Sequence, residues 1–136
     1  MESSIKQQSK KTILLVDDLE DILDCIQELF KIIDPKLAEN FNFYKSTKSE
    51  DAIRRLTEGG IVALITDGNL GENELTGLDI SEVALEVGVP KNCIAMYTAD
   101  IKYQKGAEEL GIQFFQKPDG LKLIEYICPP LRKLTS

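Results

Sequence analysis

The apolar positions along this chain follow two alternating patterns. Short unbroken runs, Thr12-Ile13-Leu14-Leu15-Val16, Ile61-Val62-Ala63-Leu64-Ile65-Thr66 and Cys93-Ile94-Ala95-Met96-Tyr97-Thr98, predict strands buried on both faces. Phe41-Asn42-Phe43-Tyr44-Lys45 alternates, and Ile112-Gln113-Phe114-Phe115-Gln116 is short and aromatic, so both read as further strands. Between the runs, apolar residues recur at three- and four-residue steps. Leu19, Ile22, Leu23, Ile26, Leu29, Phe30 and Ile33 predict an amphipathic helix that Asp34-Pro35 ends. Ser49 reads as the N-cap of a helix through Ala52, Ile53 and Leu56, stopped by Gly59-Gly60. Further helices are expected over Gly77 to Val87, over Asp100 to Leu110, and from about Asp119 through Ile127. Pro129-Pro130 is expected to truncate the last of these.

Five strands alternating with five helices predict an α/β fold, a doubly wound five-stranded parallel sheet with right-handed crossovers and helices on both faces. The expected strand order is 2-1-3-4-5, which sets the first and third strands side by side. Residues 1–11 read as a flexible tail, 12–128 as one domain and 129–136 as a C-terminal tail.

Composition narrows the chemistry. The 136 residues suit one core, and 43% hydrophobic with 29% charged content is ordinary for a globular chain. Acidic residues outnumber basic ones by 23 to 16, which argues against direct binding to nucleic acid. No apolar stretch is long enough for membrane insertion, and the polar N-terminus lacks the apolar centre of a signal peptide, so a cytoplasmic location is expected. Cys25, Cys93 and Cys128 have no C-x-x-C spacing and read as buried thiols in a reducing compartment. Histidine is absent, which removes imidazole general bases and imidazole metal ligands.

The remaining reactive groups gather at strand ends. Asp17-Asp18 closes the first strand, Asp67 the third, Thr98 with Ala99 the fourth, and Lys117-Pro118 the fifth. Open α/β sheets place ligands at that edge. Three converging carboxylates repel one another unless a hard, oxygen-liking cation such as Mg²⁺ or Mn²⁺ neutralises them. With Lys117 and Thr98 beside them, this is a set suited to handling a phosphoryl group.

With these residues in order, the sequence resembles the receiver domain of two-component response regulators, in particular the chemotaxis-type single-domain receivers. The matching motifs are Val-Asp17-Asp18, Ile-Thr-Asp67-Gly-Asn69-Leu, Thr-Gly77-Leu-Asp, Tyr-Thr98-Ala99 and Gln-Lys117-Pro118, spread over about residues 11 to 128. The resemblance implies a flavodoxin-like receiver fold and a role for each position. Asp67 would be the phosphoacceptor for a sensor histidine kinase or a histidine phosphotransfer protein. Asp18 and Asp67 would hold Mg²⁺ with the backbone carbonyl of Asn69, and Asp17 would act through water. Thr98, Ala99 and Lys117 would bind the phosphoryl group, and Thr98 with Phe114 would form the switch read by a downstream protein. Phosphorylation adds roughly -1.5 to -2 charges at that edge, a local event able to redirect packing. The chain would modify only itself and turn over no external substrate.

Two readings from other classes stand beside it. One is a metal-dependent phosphohydrolase with an aspartyl nucleophile; such enzymes pair it with an acid two residues on, where this chain has Asn69. The other is a pseudo-receiver, a binding module that works without phosphorylation.

Overall fold

A computed structural model describes residues 11–135. The expected flexible tail therefore lies outside the described residues, apart from Lys11. Five parallel strands, β1 (Thr12–Val16), β2 (Asn42–Ser46), β3 (Ile61–Thr66), β4 (Ile94–Thr98) and β5 (Gln113–Gln116), pair in the order β2-β1-β3-β4-β5. This is the order expected from the β-α alternation. Ile13, Leu14, Ala63, Leu64, Ile94 and Ala95 are fully buried, because helices cover both faces of the central strands.

Among the described residues there are six α-helices, not five: α1 (Glu20–Ile33), α2 (Pro35–Asn40), α3 (Ser49–Glu58), α4 (Gly77–Glu86), α5 (Gln104–Leu110) and α6 (Gly120–Lys133). The extra one is α2. Asp34-Pro35 ends α1 as expected, but it also starts a new helix. The Asp34 N–H donates to the Phe30 carbonyl at 2.9 Å, closing α1, while its carboxylate accepts from the Leu37 N–H at 3.2 Å. Pro35 takes the first helical position, where its missing N–H costs nothing.

The C-terminal end also departs from expectation. Helix α6 runs through Pro129 and Pro130 to Lys133, so most of the expected tail is helical. A proline inside a helix costs about 3 kcal/mol or more. Against this, the apolar face runs on across the prolines: Ile127 and Cys128 before them and Leu131 after them are all 0% exposed. Burial of one such side chain is worth roughly 1.5–3 kcal/mol. Arg132 adds a 2.6 Å ion pair to Asp34, tying α6 to the α1–α2 corner. Packing wins over local propensity here.

Asp34→Ala removes both the cap and the ion pair, and is expected to cost about 1 kcal/mol near neutral pH. The Arg132 guanidinium, assisted by the Leu37 amide, holds the Asp34 carboxyl below its ordinary value. The stability it contributes is therefore present above about pH 4 and lost as pH falls through the lower, folded value. Urea unfolding of the two proteins should converge in acid.

Two smaller expectations change. A 3₁₀ turn (Ile101–Tyr103) precedes α5, so the segment from Asp100 is not one continuous helix. Cys25 is exposed, whereas Cys93 and Cys128 are buried; burial pushes the Cys128 thiol up to about 11.

Candidate functional site

The strand register brings the acidic residues together. Val16 pairs with Thr66, and the Asp67 N–H donates to the Val16 carbonyl at 2.8 Å. Asp17 and Asp67 thus leave neighbouring strands at the same level. Carboxylate oxygens of Asp17, Asp18 and Asp67 lie within 4.8 Å of one another. On the other side, the Lys117 N–H donates to the Thr98 carbonyl at 3.0 Å, which sets Lys117 level with the end of β4. The Lys117-Pro118 bond is cis.

Lys117 reaches back across the sheet edge. Its ammonium donates to Asp17 Oδ2 at 2.7 Å and to Asp67 Oδ2 at 3.3 Å. Asp17 is only 1% exposed and Asp67 7%, whereas Asp18 faces solvent. Burial pushes the Asp17 carboxyl up; the hydrogen bonds from Lys117 and the Leu19 amide oppose this without cancelling it, and the Asp67 charge adds to the rise. Burial alone would pull the Lys117 ammonium down, but the hydrogen bond to Asp17 and the charges of Asp67 and Asp17 outweigh it and hold its value up. Three carboxylates against one ammonium leave two negative charges uncompensated. An all-oxygen donor set with that excess fits a hard divalent cation, and the residues that would hold it are Asp17, Asp18 and Asp67.

The loop after β3 is built to keep Asp67 still. Gly68 donates its N–H to Asp67 Oδ1 at 2.7 Å, and the Thr66 hydroxyl donates to the Asp67 carbonyl at 2.9 Å. Asn69 is exposed, and its side-chain oxygen accepts from the Gly71 N–H at 2.9 Å. Its side-chain oxygen is thus held in the turn, and its backbone carbonyl is the oxygen left to offer the site. Thr76 and Asp79 form a reciprocal capping box that starts α4.

Thr98 is buried at 2% exposure, and its hydroxyl accepts from the Asp100 N–H at 3.3 Å. Ala99 is exposed beside it. Phe114 is half-buried on the edge strand β5, in register with Met96 rather than Thr98. Through that register it stands level with Val16 and Thr66, the residues just before Asp17 and Asp67, and two positions before the level of Thr98.

Three contacts escaped the sequence reading. Ser49 is not an N-cap but the first residue of α3; its N–H and hydroxyl both donate to Glu74 Oε1, at 2.7 and 2.9 Å, and its oxygen accepts from the Leu75 N–H at 3.1 Å. Glu74 therefore caps α3 from a loop 25 residues away, and no local pattern announces it. The Tyr103 ring packs on Gly68. Gly77, noted as part of a motif, has a steric reason to be glycine: a methyl there would overlap the Asp67 carbonyl oxygen and lie 2.9 Å from its carbon. Because these are backbone atoms at a strand end, the clash outweighs the gain of about 1 kcal/mol that alanine gives over glycine in a helix. Gly77→Ala is expected to lose about 2 kcal/mol in urea unfolding, within the range for overpacking, and to weaken Mg²⁺ binding by displacing Asp67.

No protein-family model and no curated protein matches the chain. Solved structures do. The response regulator receiver domain protein from Clostridium thermocellum superimposes with a TM-score of 0.71 at 23% identity, covering 92% of this chain and 97% of the other. A response regulator receiver protein from Sinorhizobium medicae gives 0.70 at 21% identity, over 90% and 94%. A CheY-like receiver domain protein from Methanospirillum hungatei gives 0.71 at 20%, over 93% and 98%. Across nearly its whole length, the chain has the fold of response-regulator receiver domains.

Proposed function

We propose that this chain, chiefly residues 12–128, is a phosphoacceptor response regulator whose Asp67 takes a phosphoryl group from a protein phosphohistidine. The observation that supports this best is the acidic cluster with Lys117 bridging Asp17 and Asp67 at one strand edge. A bound Mg²⁺, or Mn²⁺, would supply charge neutralisation for the incoming phosphoryl oxygens. Asp17, Asp18, Asp67 and the Asn69 carbonyl would hold it.

The chain's own groups do the rest. An Asp67 carboxylate oxygen attacks phosphorus, the bond from phosphorus to the donor's imidazole nitrogen breaks, and the electron pair leaves with the imidazole. Lys117 and the Thr98 hydroxyl take up charge on the transferred group, with the Ala99 amide beside them. Thr98 accepts the Asp100 N–H through a lone pair, so its hydroxyl hydrogen is left to donate as the side chain moves towards a phosphoryl oxygen. That movement, with Phe114, is the proposed switch towards a downstream protein. The domain modifies itself and releases no product from an external substrate. Among the described residues no helix is long and apolar enough to cross a membrane, which accords with a cytoplasmic role. Asn69 offers no carboxylic acid two residues beyond Asp67, and this counts against the phosphohydrolase reading.

Acetyl phosphate with Mg²⁺ is expected to add one phosphoryl group to the protein, seen by intact mass, and a chelator should prevent it. Equal uptake with and without chelator would contradict the metal-assisted mechanism.

A further inference from the structure

Gly68 directly follows the proposed phosphoacceptor, is buried, and has no side chain to cover itself. The Tyr103 ring does this instead. A methyl built on Gly68 would lie 2.7 Å from Tyr103 Cγ and 2.8 Å from Cε2, so the ring already fills the space of a side chain at position 68. Tyr103 is 8% exposed although it comes from a loop on another strand, and Lys102 lies over its ring at 5.3 Å. Its hydroxyl has no hydrogen-bond partner among the described residues, so packing alone places it. The turn that carries it is held by Asp100, whose carboxylate accepts from the Lys102 N–H at 3.0 Å and whose carbonyl accepts from the Tyr103 N–H at 3.4 Å.

Gly68 also donates its N–H to Asp67 Oδ1. The ring therefore closes the flank of the peptide unit that orients the reactive carboxylate. We propose that Tyr103 is a positioning residue that sets the lifetime of the phosphoryl group, by holding the Gly68 peptide and, through its N–H, the Asp67 carboxylate in one orientation. This inference rests on the phosphoacceptor reading. The loss it limits is hydrolysis: a water oxygen attacks phosphorus, the bond from phosphorus to the Asp67 oxygen breaks, inorganic phosphate leaves and the carboxylate is restored. A carboxylate held in one orientation keeps the phosphoryl group against Lys117 and Thr98 and limits in-line approach of water, and the ring does this without touching the reacting atoms.

The test follows decay of the phosphorylated protein after acetyl phosphate is removed, in wild type, Tyr103→Phe, Tyr103→Ala, Gly68→Ala and the Gly68→Ala/Tyr103→Ala pair. Tyr103→Phe should decay at the wild-type rate, since only the ring is used. Tyr103→Ala should decay about tenfold faster as the carboxylate loses that orientation. Gly68→Ala, whose methyl expels the ring, should do likewise, and the double variant should be no faster than either single one because both remove one contact. In the unphosphorylated, metal-free protein the Gly68 amide should exchange hydrogen faster in Tyr103→Ala than in wild type. Equal decay of wild type and Tyr103→Ala, or multiplied effects in the double variant, would overturn this role alone. Wild-type protein that takes up no phosphoryl group would overturn the phosphoacceptor reading with it.

Discussion

Asp67→Asn is expected to abolish phosphoryl uptake while leaving the fold intact. The amide oxygen can still accept from Gly68 N–H, so the strand end keeps its 2.7 Å contact, but the amide is not a nucleophile at phosphorus. The substitution also removes one of three mutually repelling carboxylates. Thermal or urea unfolding without metal should therefore show no loss, and a gain of roughly 1 kcal/mol is in keeping with sites that trade stability for function. Mg²⁺ affinity should fall, because one anionic ligand is gone. A variant that unfolds, or that takes up phosphate as wild type does, would remove Asp67 from the centre of the mechanism.

Lys117→Met should have the opposite effect on stability. It keeps most of the apolar stem and deletes the one ammonium that bridges Asp17 and Asp67. Breaking a buried pair by removing one partner costs about 3–5 kcal/mol, because the remaining charge stays buried. Here the lower end applies, for two reasons. Lys117 keeps 17% of its side-chain surface exposed, and Asp17, already pushed up by burial, can relieve the repulsion by taking up a proton. A loss of about 3 kcal/mol is expected in metal-free urea unfolding. Mg²⁺ should then restore more stability to the variant than it adds to wild type, since the cation takes over charge that Lys117 no longer balances. Phosphoryl uptake should fall steeply even at saturating Mg²⁺. A loss below about 1 kcal/mol, the worth of an exposed pair, would show that Lys117 acts as a solvated surface charge.

How much of this was legible in the sequence depends on the range of the interaction. The sheet order followed from unbroken apolar runs alternating with amphipathic helices, because burial on both faces writes itself into every residue of a strand. The acidic cluster followed from strand order, since parallel strands in register deliver their ends to one edge. Where two local signals compete, the sequence misled. Asp34-Pro35 is a stop signal for the helix before it and a start signal for the helix after it, and only the first was read. Pro129-Pro130 reads as a terminator until the burial of Leu131 is set against it. Contacts between loops left no local trace at all. Glu74 reaches Ser49 and Tyr103 reaches Gly68 only because the fold brings their loops together. The switch role of Phe114 is implied by the resemblance alone, and the residue lies on the edge strand β5, in register with Met96.

Asp67 is the proposed carrier of the phosphoryl group, and chemical trapping tests this most directly. Borohydride reduces an aspartyl phosphate to homoserine, and peptide mass mapping then reads the modified position. After treatment with acetyl phosphate and Mg²⁺, homoserine is predicted at position 67 and nowhere else, and at no position when Mg²⁺ is chelated. Homoserine at another aspartate, or none at position 67 in protein whose intact mass shows the phosphoryl group, would contradict the account.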